Sequence, residues 1–269
     1  MSIELIFKAC LLGIVQGITE FLPISSSAHV VLLSGILGDF GKHTKSMLIF
    51  LQGVSILAVM RLYWQFLRKT LTINTVTSRS LLKSIAFGAL PFMIVGFISH
   101  KFIFLYLFSP SIVSAFLILG GVVLIFVNYF FHRNYFCKIN SVDFIEPKHG
   151  FMVGLGQILA IFPGVSRSGA TIVGGLLCGM TRPVAVQFSF LLAIPLLFSV
   201  SIFQLLSVVG VLTFDEWLIM GVASVVTVGV SCAVVGRLFD FLSYGRNSFF
   251  LIGIYRVCLG LGLFYWSAR

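Results

Sequence analysis

The sequence predicts an all-α integral membrane protein with six transmembrane helices and two re-entrant helix pairs, arranged as inverted-topology repeats. Composition is the first reason: of 269 residues, 59% are hydrophobic and 10% are charged, whereas soluble proteins carry about 25% charged residues. The second reason is a series of apolar runs of transmembrane length. The third is a pair of similar apolar runs that proline, serine and glycine interrupt.

Six apolar runs have the composition of transmembrane helices, which need about 20 apolar residues to cross a bilayer. They are residues 47–66, 84–98, 111–131, 183–211, 217–238 and 248–265. The second of them is short for a complete crossing, so its ends stay open at this point.

Residues 6–37 and 150–180 are also apolar, but each run contains an interruption. We call "FLPISSS" (residues 21–27) the first elbow and "FPGVSRSGAT" (residues 162–171) the second elbow. The arms beside them have about 12 to 15 residues, which at 1.5 Å per residue is too short to cross about 30 Å. We therefore expect re-entrant helix pairs, in which each elbow lies inside the protein or lines a wet cavity.

The two interrupted runs share Gly, Gln, Phe, Pro and a Ser-x-Ser-small ending. Three predicted spans follow each run, and an odd number of crossings per repeat reverses the second copy. We expect one integral membrane domain over residues 1–269, with repeat one at about 1–131 and repeat two at about 150–269. The elbows are then expected to meet near the bilayer midplane.

The net charge of +10 lies in short loops between apolar runs, so membrane lipid is an expected partner and nucleic acid is not. If the predicted spans cross the bilayer in alternating directions, eleven Lys and Arg residues lie on one side of the membrane and five on the other. The positive-inside rule then makes the first side cytoplasmic. Both termini and the entrance to the first elbow are then expected outside. Glu4 and the lack of a basic n-region predict a retained N-terminus. The five scattered cysteines are expected to be packing residues.

The residues around the first elbow are chemically unusual for a membrane segment. Gln16 and Glu20 are four apart, so they share one face of a helix, and a carboxylate at membrane depth is costly enough to indicate function. Hydroxyl and imidazole groups follow at Ser25, Ser26, Ser27 and His29. Their concentration favours catalysis or ligand binding; the alternative is a structural glutamate paired with a buried arginine.

The second elbow provides the complementary charge. Arg167 lies among hydroxyl side chains and among glycines that let backbone N–H groups approach a ligand. The hydroxyl residues are Ser166, Ser168 and Thr171. This combination is typical of a phosphate cradle, although Arg167 could instead only neutralise Glu20.

Together the elbows and the residues beside them offer one carboxylate for a divalent cation, one arginine for phosphate oxygens, several serines and one histidine. That set favours phosphoryl transfer. Three further residues carry less weight. Arg256 is expected to be a second phosphate ligand or a partner of Asp240, and His132 and His149 are expected to be solvated loop residues.

The motifs "QGITEFLPISSSAH" and "FPGVSRSGAT" resemble the two signatures of the bacterial undecaprenyl-diphosphate phosphatases of the bacitracin-resistance type, and the resemblance covers the whole chain. It implies hydrolysis of undecaprenyl diphosphate to undecaprenyl phosphate and inorganic phosphate. This reaction recycles the lipid carrier of cell-wall synthesis and confers bacitracin resistance. The resemblance also implies a multi-pass location in the bacterial inner membrane, a site open to the outer face, and a need for Mg²⁺ or Ca²⁺.

The resemblance also implies roles for individual residues. Catalysis falls to Glu20, Ser26, His29 and Arg167, substrate binding to Ser25, Ser27, Ser166, Ser168 and Thr171, and metal binding to Glu20 and Gln16. In the expected mechanism Arg167 holds the diphosphate, while His29 assists attack by Ser26 or by water. Gln16 stands where many members have Glu, and its neutral amide can ligate a metal but cannot be a general base.

Two other classes of protein stay open at this point. Inverted repeats with broken helices also form secondary transporters and lipid flippases. A structural membrane subunit is the third class, but it leaves Glu20, His29 and Arg167 unexplained. The expected partners are a polyprenyl diphosphate and membrane lipid, and a homo-oligomer is left open.

Overall fold

The computed structural model describes residues 3–38, 44–73, 75–102, 109–131 and 137–267. Regular structure within these ranges is helical, apart from one isolated β-bridge between Ile139 and Met180. The helices are α1 (Ile3–Thr19), α2 (Ser26–Leu37), α3 (Thr44–Val54), α4 (Ile56–Leu62), α5 (Trp64–Thr72), α6 (Val76–Phe102), α7 (Pro110–Phe130), α8 (Pro147–Gln157), α9 (Arg167–Leu177), α10 (Arg182–Val208), α11 (Phe214–Tyr244) and α12 (Ser248–Ser267).

Five helices in the described part of the chain are long and apolar enough to cross a membrane, namely α6, α7, α10, α11 and α12. A sixth candidate exists if the bent segment from Ser46 to Thr72 counts as one span. The prediction of an all-α, multi-pass membrane protein is therefore confirmed, with five or six candidate spans.

The predicted span 47–66 differs most from the structure, because it is divided among α3, α4 and α5. At the first break the Ser55 hydroxyl donates to the carbonyl of Gln52 at 2.6 Å, a local side-chain bond that competes with regular helix geometry. At the second break, beside Tyr63, the axis turns by 79°. Helix α5 then carries the exposed cations Arg68 and Lys69, so it is a poor candidate for a crossing.

Two spans are much longer than their apolar runs. Helix α6 has 27 residues where the run 84–98 predicted a short one. Its polar start is accommodated because Ser80 and Ser84 both donate to the carbonyl of Ile145. Helix α11 has 31 residues, and it begins with a capping box in which Thr213 and Glu216 satisfy each other's backbone N–H groups.

Both interrupted runs form two short helices that pack against each other on either side of the elbow. These pairs are α1 with α2 and α8 with α9. A single 3₁₀ turn, Ile158–Ile161, separates α8 from the second elbow. The chain therefore reverses direction at each elbow instead of continuing as one long helix.

The four largest helix–helix contacts are those of α1 with α11, α6 with α8, α3 with α10, and α7 with α12. Glycines allow close approach in these pairs. A Cβ added at Gly13 of α1 would lie 2.7 Å from the carbonyl oxygen of Ala223, and one at Gly154 of α8 would lie 2.5 Å from that of Gly88. Small residues at such contacts are typical of membrane helices, whose association depends on close packing.

Helix α10 lies at the centre of the core, where it packs against α3, α4, α6, α9 and α11. Its side chains Phe188 and Phe190 have no exposed surface. The polar residue Ser189 lies between them and contacts the second elbow. The second elbow therefore packs against the first third of α10.

Candidate active site

The two elbows meet, as their sequences predict. The Ser168 hydroxyl of the second elbow donates to the carbonyl of Leu22 in the first elbow at 2.9 Å. The Arg167 guanidinium forms an ion pair with the Glu20 carboxylate, with 3.1 Å between Nη2 and Oε1. Residues 147 positions apart in the chain are thus brought into direct contact.

Glu20 is the centre of the cluster, and its side chain is only 4% exposed. While Oε1 faces Arg167, Oε2 accepts hydrogen bonds from Gln16 Nε2 at 2.8 Å and from Ser26 Oγ at 2.7 Å. Glu20 and Arg167 therefore form the buried ion pair that was the alternative to a functional role. The ion pair does not account for the Ser26 hydroxyl, which donates to the same carboxylate.

Arg167 retains unused donor capacity. Its Nη1 donates to the carbonyl of Ser189 at 3.4 Å, but its Nε is buried and has no hydrogen-bond partner among the described residues. An unsatisfied buried N–H of a guanidinium is costly, so this atom favours an additional acceptor. A phosphate oxygen is an acceptor of the required kind.

Ser25 and Ser166 occupy corresponding places in the two elbows and share an unusual backbone conformation. Their φ angles are +67° and +74°, in the region that favours glycine. Each hydroxyl lies 3.1 Å from that of the serine two positions later, Ser27 or Ser168. Strain of this kind is typically retained at functional sites. It turns the chain so that α2 and α9 both begin at the site, and the N-terminus of a helix attracts anions.

Ser168 and Thr171, two predicted substrate-binding residues, hold the second elbow in place and do not line the cavity beside it. Thr171 Oγ1 lies 2.6 Å from the hydroxyl of Ser189 and also donates to the carbonyl of Arg167. Ser168 bonds to the first elbow. The structure therefore places both groups behind Arg167, while Ser25, Ser26, Ser27 and Ser166 line the cavity.

His29 is not hydrogen-bonded to Ser26. Its Nδ1 lies 2.8 Å from the carbonyl oxygen of Ser25, and its Nε2 lies 2.6 Å from the hydroxyl of Tyr255 in α12. The two rings are stacked, with an interplanar angle of 12°. In this arrangement both imidazole nitrogens are engaged, and the ionisable side chain in contact with Ser26 is Glu20.

Arg256 has a role that the sequence did not predict. It is 1% exposed, and the hydrogen bonds of its guanidinium go to backbone carbonyls. Three of these acceptors lie in the elbows, where the guanidinium nitrogens are 2.8 Å from the carbonyl oxygen of Pro23, 2.7 Å from that of Gly164 and 3.1 Å from that of Val165. The predictions of a phosphate ligand and of a pair with Asp240 were both wrong. Arg256 instead clamps the two elbows together from α12.

His132 and His149 were both predicted to be solvated loop residues. His132 lies outside the described residues. His149 lies in the first turn of α8, where its Nδ1 accepts the backbone N–H of Glu146 at 3.1 Å, so the prediction of a loop residue was wrong. Burial lowers the pKa of the His149 imidazole, which favours the neutral form that this contact requires.

A cavity of about 1090 Å³ opens from the elbows. One end is polar and is formed by Glu20, Arg167 and the serines named above, with Gln52 of α3 beside them. The remaining wall is mostly apolar and comes mainly from α6, the 3₁₀ turn and α10, with Phe97 and Phe203 in edge contact at 5.8 Å. Helix α10 also contributes the polar residues Ser199, Gln204 and Ser207 to this wall. The cavity therefore fits an amphiphile with a charged head and a long apolar chain.

The sequence profile of the family described as bacitracin resistance protein BacA matches residues 9–262. This chain belongs to the BacA family. Among its relatives, it is 38% identical to the undecaprenyl-diphosphatase of Sulfurihydrogenibium sp. (strain YO3AOP1) over 96% of this chain and 98% of the relative. It is 40% identical to the undecaprenyl-diphosphatase of Wolinella succinogenes over 97% of this chain and 98% of the relative.

The metal-binding capacity of this BacA family site is limited to a few oxygen donors. No group of three or more His, Cys, Asp and Glu side chains is placed to hold a metal within the described ranges. Glu20 and Gln16 nevertheless supply a carboxylate and an amide oxygen, which suit Mg²⁺ or Ca²⁺. Mg²⁺ in particular commonly binds through one carboxylate, substrate phosphates and water. The residues therefore fit a cation that arrives with a diphosphate.

Proposed function

We propose that this BacA family protein hydrolyses undecaprenyl diphosphate to undecaprenyl phosphate and inorganic phosphate in the bacterial inner membrane. The observation that carries the proposal is the cavity, whose polar end and apolar wall match the two parts of a polyprenyl diphosphate. The relatives named undecaprenyl-diphosphatase cover almost the whole chain and support the same reaction. This reaction returns a lipid carrier to cell-wall synthesis and accounts for resistance to bacitracin.

In the proposed mechanism, Arg167 and the N–H groups at the starts of α2 and α9 bind the diphosphate and stabilise the charge that develops on it. Ser26 Oγ attacks the terminal phosphorus, and its proton passes to Glu20 Oε2, to which it is already hydrogen-bonded. The bond from the terminal phosphorus to the bridging oxygen breaks, and undecaprenyl phosphate leaves. Water then cleaves the phosphoserine and releases inorganic phosphate.

Direct attack by water is the other route, and Glu20 is the base in both. The contacts support this choice because Glu20 touches Ser26, whereas the nitrogens of His29 contact Ser25 and Tyr255. A divalent cation held by Glu20 and Gln16 would neutralise phosphate charge when bound.

We also propose that the architecture is a pair of inverted repeats, as the sequence predicts. Helices α1, α2, α3–α4, α6 and α7 would correspond to α8, α9, α10, α11 and α12. Under this correspondence the contact of α1 with α11 is equivalent to that of α8 with α6, and the pairs α3–α10 and α7–α12 map onto themselves. The equivalent strained serines, Ser25 and Ser166, support the same division at about 1–131 and 150–269. The charge distribution then favours external termini and a site open to the outer face.

Phosphate release tests the proposed function directly. Purified protein in detergent, given undecaprenyl diphosphate and Mg²⁺, is expected to release inorganic phosphate, and a chelator is expected to suppress the release. A transporter or flippase without this activity would release none from a folded preparation. The transporter class is less favoured, because a serine, a carboxylate and an arginine held in contact are typical of a catalytic site.

A phosphoserine at Ser26 is expected if Ser26 is the nucleophile. Substrate labelled in its terminal phosphate and quenched during turnover should leave label on the protein, and peptide mapping should place it at Ser26. Ser199→Ala is the matched control, because it removes a cavity hydroxyl that lies on α10 outside both elbows and should keep the label. Near-normal turnover by Ser26→Ala would instead establish direct attack by water.

Gln16→Glu is expected to remain active and to bind the divalent cation more tightly. The change adds a carboxylate beside Glu20, and hard cations prefer charged oxygen ligands. The measurement is the Mg²⁺ concentration that gives half-maximal phosphate release, which should fall severalfold. Gln157→Glu is the control, because Gln157 holds the corresponding place in the second run but donates to the carbonyl of Gly88, whereas Gln16 donates to Glu20. Complete inactivity of folded Gln16→Glu would contradict the proposed role of Gln16 as a ligand of the divalent cation.

A further inference from the structure

Tyr255 is a polar residue of α12 that the proposed mechanism does not use. Its hydroxyl lies 2.6 Å from Nε2 of His29, a distance at which the hydrogen bond is strong. The ring stacks on the imidazole with 5.6 Å between centroids. The two residues are 226 positions apart, so the contact joins the last helix to the first interrupted run.

The partners of His29 determine which of its nitrogens carries the proton. A backbone carbonyl can only accept, so the contact with Ser25 requires a hydrogen on Nδ1. In the neutral ring Nε2 is then an acceptor, and the Tyr255 hydroxyl must donate to it. Tyr255 therefore selects the same tautomer that the Ser25 carbonyl selects. The ring is held at both ends and cannot rotate away from the elbow.

We propose that Tyr255 is a positioning residue of the phosphatase site and acts through His29. The proposal rests on the proposed function. By fixing His29, Tyr255 holds the carbonyl of Ser25, whose strained backbone sets the direction in which α2 begins. The next residue in that helix is Ser26, whose hydroxyl must stay on Glu20. The neighbouring Arg256 clamps the carbonyls of the same elbow, so consecutive residues of α12 support the site from behind.

A double-mutant cycle tests whether Tyr255 acts through His29. Tyr255→Phe removes only the hydroxyl and is expected to lower kcat by roughly three- to tenfold, with a smaller change in KM, because one hydrogen bond is lost. In a His29→Ala background the same change should have no further effect. Tyr129→Phe is the matched control: this residue of α7 is 80% exposed, and its loss of a hydroxyl should leave kcat unchanged.

Two outcomes of the cycle would overturn the proposal. One is a Tyr255→Phe protein with wild-type kcat. The other is an equal loss in the presence and absence of His29, which would mean that Tyr255 supports the fold independently of the imidazole.

A spectroscopic measurement separates this proposal from the proposed function. In protein labelled with ¹⁵N-histidine at alkaline pH, the resonance of the unprotonated Nε2 of His29 is assigned by its loss in His29→Ala. It is expected to shift in Tyr255→Phe and to stay in place in Tyr129→Phe. An unshifted resonance would refute the contact whether or not the protein is active. Absence of phosphate release by the wild type, with the shift present, would refute only the proposed function.

Discussion

Glu20→Gln is expected to lower kcat for phosphate release by about a hundredfold to ten-thousandfold, the usual contribution of a general base. The amide has the shape of the carboxylate and can still accept a hydrogen bond from Ser26, but it cannot take the proton. It also leaves the buried Arg167 without its counter-charge. Initial rates at saturating polyprenyl diphosphate and Mg²⁺ measure the effect.

Glu4→Gln is the control for this change. The Glu4 side chain is 71% exposed and pairs with Lys8 at 2.8 Å, so the same chemical replacement removes an ion pair at the surface. Such pairs contribute little to stability, and kcat should not change. A Glu20→Gln protein that keeps more than a tenth of wild-type kcat would exclude Glu20 as the base.

Arg256→Met is expected to destabilise the protein and abolish turnover together. The replacement removes the donors to the elbow carbonyls of Pro23, Gly164 and Val165, and each buried acceptor left without a partner costs about 1–3 kcal/mol. The summed loss should lower Tm in detergent by on the order of 10 °C. Without the clamp the elbows are also no longer held in the relative position that sets Arg167 against Glu20.

Arg237→Met serves as the control, because Arg237 is exposed on α11 and the same replacement there should leave Tm and activity nearly unchanged. Arg256→Lys keeps the charge but offers fewer, undirected donors, so an intermediate Tm is expected. If Arg256→Met keeps the wild-type Tm, the clamp is not a stabilising contact.

The sequence predicted that polar side chains of the two elbows meet, and the reason is the cost of polar groups in a membrane. A carboxylate at Glu20, an arginine at Arg167 and clustered serines are retained at membrane depth only if they have partners or a function. The lengths of the arms indicated interrupted helices for the same reason, because twelve apolar residues cannot cross the bilayer. The meeting of the two elbows also followed from their shared sequence.

The sequence predicted the boundaries of the helices less well. A hydropathy pattern indicates which segments prefer lipid, but it contains no information on the tertiary hydrogen bonds that allow a polar residue to be buried. Helix α6 extends over Ser80 and Ser84 because the carbonyl of Ile145 accepts from both. Conversely, the apolar run 47–66 contains the breaks at Ser55 and Tyr63, which depend on local hydrogen bonds and on packing.

The sequence by itself determined an all-helical membrane protein, its two elbows and the residue types of the candidate site, because burial costs act on each residue wherever it lies. Only the tertiary structure decided what each side chain touches. It placed Ser26 on Glu20, turned His29 toward Tyr255, and made Arg256 the clamp of both elbows. Arg256 donates to Pro23, which lies 233 positions away, and Tyr255 contacts His29 across a similar interval. Contacts at such separations are set by the packing of whole helices, and no local pattern encodes them.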